Sequence, residues 1–524
     1  MPAPVSTDPS ATRRRTYSEA ADANLPPGFE RHGVESIPDA DRTSSIFDFM
    51  RVCWGGGNSL ATAVLGAFPI MFGLSFWQAM AANALGVAVG ALVLGPMAIF
   101  GPLNGTNNAV SSSAHFGVVG RIVGSFLSLL TAIAFFSISV WSSGDAVVGA
   151  AHALFGVQES NGAFAAAYGV FAASVLMVCI YGYGVMLVVN KVAVLASTVL
   201  FVLGLVAFWP AFDSHFAGTH LQWGSAAFWP VFVSASLVAL SNPISFGAFL
   251  GDWSRYLPRR TNKVWLVRAT ILAQLLTLLP FSFGALTASI MARHAAAYLE
   301  RADYTGGLLA VSPSWFFAPL FLLALLSGMS TGTTSLYGTG LDFSSVFPRL
   351  SRPRATLLIG LVSIALIFIG RFAFTLISSI TTFVSLIVVT TTPWMVIMMI
   401  GYVARRGYYL PEDMQVFNRG QVGGAYWFDR GWNVPAMAAW GVSAVAALAL
   451  VNSPGHFAGF LAHLAGGDLD LSLLAALLLP AMLYPACLYL FPEPRAVFGP
   501  RGPRFVPAAD KPIAPVVEAG HGNH

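Results

Sequence analysis

The chain has 524 residues, of which 56% are hydrophobic and only 10% charged, with a mean hydropathy of +0.70. So few charges cannot cover a globular surface, which excludes a water-soluble fold and places the chain in a bilayer. The net charge of +4 does not point to nucleic acid, because the basic residues form no patch interleaved with aromatics.

The first 43 residues carry Arg13, Arg14 and Arg15 but no apolar core, so they read as a polar tail without a cleavable signal peptide. Crossing about 30 Å of hydrocarbon takes about 20 apolar residues in a helix. Twelve such runs follow, at approximately 46–72, 76–100, 121–151, 164–189, 192–211, 227–250, 264–291, 313–340, 355–371, 376–402, 434–453 and 471–491. The expected fold class is therefore an all-α polytopic membrane protein. The Pro-, Gly- and Ala-rich stretch 492–524 cannot bury enough surface to fold alone and reads as a second tail.

With both tails placed in the cytoplasm, all of the 27 Lys and Arg fall on the cytoplasmic side except Arg293, Arg301 and Arg371. Cationic segments are retained there, so both termini are expected in the cytoplasm and the protein in the plasma (inner) membrane. Cys53, Cys179 and Cys487 show neither pairing nor metal spacing and read as small core residues.

Within the first run, "VCWGGGNSLA" places Gly55, Gly56 and Gly57 before Asn58. A broken helix survives in lipid only where protein or a water-filled cavity satisfies the freed backbone. Isolated glycines usually serve close helix packing, but three in a row followed by an amide point to an unwound segment. A second interruption, Ser241-Asn242-Pro243, lies in the sixth run, where proline removes a donor and clashes with the preceding turn. Taking the first ten runs as two sets of five, 46–211 and 227–402, puts the breaks in corresponding helices, with 434–491 holding two more. Paired breaks of this kind point to a transporter's central site.

Two further features carry chemistry. In the third run Asp145 is the only carboxylate well inside a span. Such a group costs about 2.5 to 3.5 kcal/mol at the bilayer centre, and its place towards the outer end favours a hydrated, structural role over proton relay. In the eighth run Ser327, Ser330, Thr331 and Thr334 recur at three- and four-residue spacing and share a helix face, with Ser335 beside them. Such hydroxyls either bond between helices or, with backbone carbonyls, supply ligands for a small hard cation.

These segments resemble the nucleobase:cation symporter family, the cytosine, purine and hydantoin permeases. "ERHGVESIPDADRT" is similar to the family's lead-in to the first helix. "GDWSRYLPRRTNKVW" resembles its Asp-Tyr-Ser-Arg-Tyr signature with Trp253 in place of Tyr, and "SLYGTGLDF" its closing stretch of the eighth helix. The resemblance runs from about residue 30 to about 490. It implies a LeuT-like fold of two inverted five-helix repeats, with helices one and six discontinuous and two helices appended. It also implies carriage of a flat heterocycle by sodium or proton symport, with no cofactor.

Carried over residue by residue, the resemblance puts cation-site carbonyls at Gly56 and Ser59 and hydroxyls at Ser327, Ser330 and Thr331. It puts a stacking aromatic at Phe135 and a polar contact at Ser139. Gly57, Asn58, Asn242, Ser245, Phe246, Thr334 and Ser335 complete the substrate candidates. Aromatic faces and amides are what a planar heterocycle needs. Phe135 stands where hydantoin-carrying members have Trp, and Ser139 and Leu60 where they have Gln, so the pocket differs. Asp252 and Arg255 read as a local ion pair shaping a gate or loop.

No nucleophile with a base, no His-Glu-x-x-His cluster and no phosphate-binding loop occurs, which argues against an enzyme or an ATP-driven pump. A channel or receptor remains the alternative on span number alone.

Overall fold

The computed structural model describes residue 30 and residues 32–347, 350–373, 376–453, 457–463 and 469–518. Arg13, Arg14, Arg15 and the chain from residue 519 on lie outside the described residues. Among the described residues, ten helical stretches are long and apolar enough to cross a membrane, and two shorter apolar helices, Leu60–Met71 and Val434–Ala449, accompany them.

The first run forms two helices. α1 (Ile46–Gly57) opens on a capping box between Ser45 and Asp48, and α2 (Leu60–Met71) opens on Ser59, whose hydroxyl accepts from Thr62 N at 3.4 Å. Sequence places the unwinding at Gly55, Gly56 and Gly57, and here it needs correction. All three glycines are helical, and the chain leaves the helix at Asn58 (φ −91°, ψ 67°). Glycine permits unwinding without enforcing it; Ser59, as a cap, starts the next helix and so fixes where the first one stops.

α3 (Phe76–Leu94) and α4 (Ile122–Phe155) form the second and third spans, with short helical turns between them. The boundary expected near Asn190 falls instead at Gly182, between α5 (Asn161–Tyr181) and α6 (Tyr183–Phe208). Gly182 has φ 108°, a region closed to side chains. Asn190 is polar because it faces inward, so its polarity does not mark a loop.

The sixth run also breaks later than expected. α7 (Phe228–Ser245) passes through Pro243, and the chain leaves the helix over residues 246–249 before α8 (Leu250–Ser254). Proline's own φ is helical and its conflict lies with the turn before it, so the helix continues briefly beyond it. The hydroxyls of Ser241 and Ser245 donate back to Val238 O and Asn242 O, both at 2.6 Å. The remaining helices are α9 (Lys263–Leu275), α10 (Leu278–His294), α11 (Phe317–Val346), α12 (Arg352–Ala373), α13 (Leu376–Ala404), α14 (Val434–Ala449) and α15 (Ser472–Leu490).

α4 packs along α11 and α3 along α7, while α6 lies against both α1 and α11. The first break is therefore enclosed. On α5 and α6, Val170, Met177, Val188 and Val199 turn outward, an apolar exterior suited to lipid.

The segments outside the spans are packed where they are described. Val34 and Ile37 are buried, and the Arg42 guanidinium donates to Ile37 O at 2.7 Å and Pro102 O at 2.9 Å. The stretch after residue 492, read from sequence as a tail, is held by the bundle rather than by its own core. Glu493 pairs with Arg405 at 2.6 Å and accepts from Asn433 Nδ2 at 2.7 Å, Phe498 is buried, and a strand β2 (Val517–Glu518) pairs antiparallel with β1 (Gln421–Val422). Beside this pair, burial and then the Arg405 guanidinium hold His115 well below its ordinary 6.5. The neutral ring accepts from Arg405 at Nδ1 (2.9 Å) and donates to Tyr409 (3.0 Å).

Candidate functional site

The end of α1 is crowded because it has no side chains. A Cβ on Gly55 would stand 2.6 Å from both Asn190 Nδ2 and Ser330 Oγ, one on Gly56 2.7 Å from the Phe246 ring, and one on Gly57 2.7 Å from Thr277 Cγ2. The glycines thus let the fifth, sixth, seventh and eighth spans approach one stretch of backbone. Ser330 Oγ donates to Gly55 O at 3.0 Å and Thr331 Oγ1 reaches the same oxygen at 3.5 Å. Ser330 Oγ also accepts from Asn190 Nδ2 at 2.8 Å. One carbonyl at the break and two hydroxyls of α11 therefore meet.

Ser327 Oγ, one turn before, is buried without a partner. Thr334 Oγ1 donates back to Ser330 O at 2.9 Å and lies 3.2 Å from the Cβ position of Gly56. Ser59 serves as the cap of α2. Ser335 is buried on α11.

Asn58 turns sideways. Its Nδ2 donates to Ser197 Oγ at 2.9 Å and Thr198 Oγ1 at 3.0 Å on α6, and its Oδ1 is buried without a partner. On α7 both amide atoms of Asn242 are buried and unpartnered, with Nδ2 3.3 Å from the Cβ position of Gly57. Phe246 follows at the second break, its ring packed against Phe249 and Trp253 with centroids 5.4 and 5.7 Å away. Ser245 spends its hydroxyl on Asn242 O. Phe135 and Ser139 stand one turn apart on α4: Phe135 meets the edge of Phe383 at 6.3 Å and Ser139 donates to Gly328 O on α11 at 3.1 Å. Neither forms a hydrogen bond or ring contact with the residues of the two breaks among the described residues.

An unpaired buried polar group costs about 1 to 3 kcal/mol. Here Asn58 Oδ1, Asn190 Oδ1, Ser327 Oγ and the whole Asn242 amide are in that position around two broken helices. The oxygens suit a hard cation and the amide suits the polar edge of a ring. Among the described residues no group of His, Cys, Asp and Glu has the arrangement to hold a metal ion. Sequence reasoning missed Asn190, Ser197 and Thr198; an Asn, a Ser and a Thr on one face of an apolar helix were the available signal.

A second polar cluster lies at the ends of several spans. Glu30 accepts from Tyr337 Oη and Tyr183 N at 2.7 and 2.8 Å and from Tyr256 Oη, and it pairs with Arg255 and Arg352, each at 3.3 Å. Tyr183 stacks on Tyr256 at 3.9 Å. The expected Asp252 and Arg255 pair is not formed, because Arg255 turns to Glu30 and to Gly33 O. Asp145 accepts from the Tyr168 hydroxyl, joining the third and fourth spans.

A family described as "Permease for cytosine/purines, uracil, thiamine, allantoin" matches residues 36–472. The "Putative purine-cytosine permease YxlA" of Bacillus subtilis is 26% identical over 242 residues, covering 44% of this chain and 48% of that protein. The "Vitamin B6 transporter TPN1" of Saccharomyces cerevisiae is 30% identical over 128 residues, covering 23% and 21%. The matches thus span about half the length of the first relative and about a fifth of the second. Among solved structures, Mhp1, a nucleobase-cation-symport-1 family transporter, in a closed conformation with bromovinylhydantoin bound, has a TM-score of 0.69 at 17% identity over 90% of this chain and 98% of that one. The transporter MhsT in complex with L-phenylalanine has a TM-score of 0.53 at 12% identity over 85% and 98%. At these identities the likeness is one of fold.

Proposed function

The chain belongs to the family of permeases for cytosine and purines, uracil, thiamine and allantoin, and from that premise we propose that it imports a nucleobase or a related planar heterocycle by cation symport with alternating access. It is a multi-pass membrane transporter and not an enzyme. Reading α1 with α2 as one crossing, α7 with α8 as another and α14 as a further one gives twelve, arranged as two inverted sets of five plus two. Both termini then lie in the cytoplasm, in a plasma membrane setting.

The observation that carries this reading is the meeting of Ser330 and Thr331 hydroxyls on the Gly55 carbonyl, beside an Asn242 amide with no partner. In this proposal sodium or a proton drives transport, and carbonyls at the first break (Gly56, Ser59, with Gly55) together with Ser327, Ser330 and Thr331 are the ligands a sodium ion would take. The heterocycle lies against Gly57 and between Phe135 and Phe246, its edge read by Asn58, Ser139, Asn242, Ser245, Thr334 and Ser335. Two half-helices that share one site let each ligand complete the other's coordination, which couples their binding.

The test is uptake of radiolabelled cytosine, hypoxanthine, uracil and allantoin into vesicles holding the protein, with and without an imposed sodium or proton gradient. Saturable, gradient-driven accumulation of one of them supports the proposal. Downhill flux without saturation would instead favour a channel.

A further inference from the structure

The Glu30 cluster sits beside two more buried carboxylates. Asp252 on α8 is fully buried, neither carboxylate oxygen makes a hydrogen bond of ordinary length, and the neutral Asn107 amide is the donor beside it. Its carboxyl lies on bare backbone of α11, since a Cβ on Gly338 would stand 3.1 Å from Asp252 Cγ. One turn along the same face of α11, Asp342 is buried as well. Its oxygens take the Asn107 amide at 3.2 Å and the Ser128 hydroxyl, both neutral donors. Gly338, where the Asp252 carboxyl lies, and Asp342 stand one turn apart on one helix face, about 5 to 6 Å at Cβ, so the two carboxyls are neighbours.

Arg255 and Arg352 also act on Asp252, but the ion pairs they form are with Glu30. Among the described residues, three carboxylates therefore face two guanidiniums, one positive charge short. The other described groups facing it do not supply that charge. Tyr183, Tyr256 and Tyr337 are phenols, Arg121 is turned to Ser345 O and Asn418 Oδ1, and Asp48 and Arg51 on α1 pair with each other. Buried charge without a partner is strongly disfavoured, and two carboxylates that share a site settle it by holding one proton.

We propose that Asp252 and Asp342 together bind one proton, and that its uptake and release form a step of transport. This rests on the symport reading above and gives a proton its own site, apart from the carbonyls and hydroxyls at the first break. A proton from water forms an O–H bond on one carboxylate, and the cluster's charge goes from minus one to zero. α8 follows the break that carries Phe246, and α11 carries Ser330 and Thr331. The protonated pair lets α8 dock on α11, and parting of these helices exposes the carboxyls to water, where the proton leaves.

The test is a proton count on the purified full chain in detergent without substrate, titrated between about pH 5 and 9 while infrared difference spectra follow the C=O band of protonated carboxyls. About one proton per chain is expected to titrate with that band. Asp252→Asn and Asp342→Asn should each abolish it, and Asp252→Glu should retain it. If one Asn variant fails to fold, the other together with Asp252→Glu decides. A titration unchanged in the folded Asn variants, or absent from the parent, overturns the proposal. In vesicles, proton-driven accumulation of radiolabelled cytosine should fall about tenfold in the Asn variants, while exchange of internal for external cytosine continues. Proton-driven accumulation that survives in both overturns the coupling step. Failure of the parent to carry any of the four probes above counts against the transport reading and leaves the proton count standing.

Discussion

Ser330 and Thr331 show how far a residue's role can be read from spacing. Their repeat on one helix face marked them, and in the structure both hydroxyls reach the Gly55 carbonyl. A hydrogen bond to a charged ligand contributes about 1.5 to 3 kcal/mol, so Ser330→Ala and Thr331→Ala should each weaken ion-dependent uptake about tenfold at normal membrane levels, measured as initial rates in vesicles. Asn242 permits an opposite pair of signs. Both of its amide atoms are buried and unpartnered, so Asn242→Leu should raise the melting temperature of the ligand-free protein, by about 1 to 3 kcal/mol of stability. The same change should remove the thermal shift given by a carried heterocycle. A lower melting temperature would mean that the amide is satisfied without ligand. Asn190 escaped sequence reading for a physical reason: an amide beside Lys191 looks like a loop, and only its bond to Ser330 shows that it faces inward.

At the scale of elements, the first run holds α1 and α2 and the sixth holds α7 and α8, and the residues that end α1 and α7 were not legible. Gly55, Gly56 and Gly57 stay helical to admit neighbours, while Asn58 and Ser59 make the break; Pro243 sits inside α7 and the chain turns after it. Composition says where a helix is weak, but capping and tertiary contacts decide where it ends. Gly182 is the clearest case. Its φ of 108° needs glycine, and an added Cβ would stand 2.5 Å from Glu30 Oε2. Gly182→Ala should therefore cost at least about 1 to 3 kcal/mol, read as a lower thermal midpoint, and should cost less when combined with Glu30→Gly, which removes both Glu30 atoms that the new methyl would meet.

For the whole molecule, hydropathy made the membrane class and nearly every span legible, because apolar length is a property of local sequence. The packing of the segments outside the spans was hidden, since their partners lie far away in the chain. Arg405, His115 and Glu493 tie the stretch after residue 492 to the bundle. His115 is held below its ordinary 6.5 by burial and by Arg405, so the unfolded chain binds more protons than the folded one below that pH. Stability should then fall as pH drops below about 6.5, and the melting temperature of His115→Gln should fall less steeply. Glu30 carries a consequence for biosynthesis. Its partners Arg255 and Tyr337 lie 225 and 307 residues further along the chain. The carboxylate is thus translated before any of the spans it joins, and its clasp is complete only once Tyr337 on the eighth and Arg352 at the start of the ninth have been made. A polypeptide arrested earlier carries this acidic group without the guanidinium and phenol partners that match it in the finished bundle.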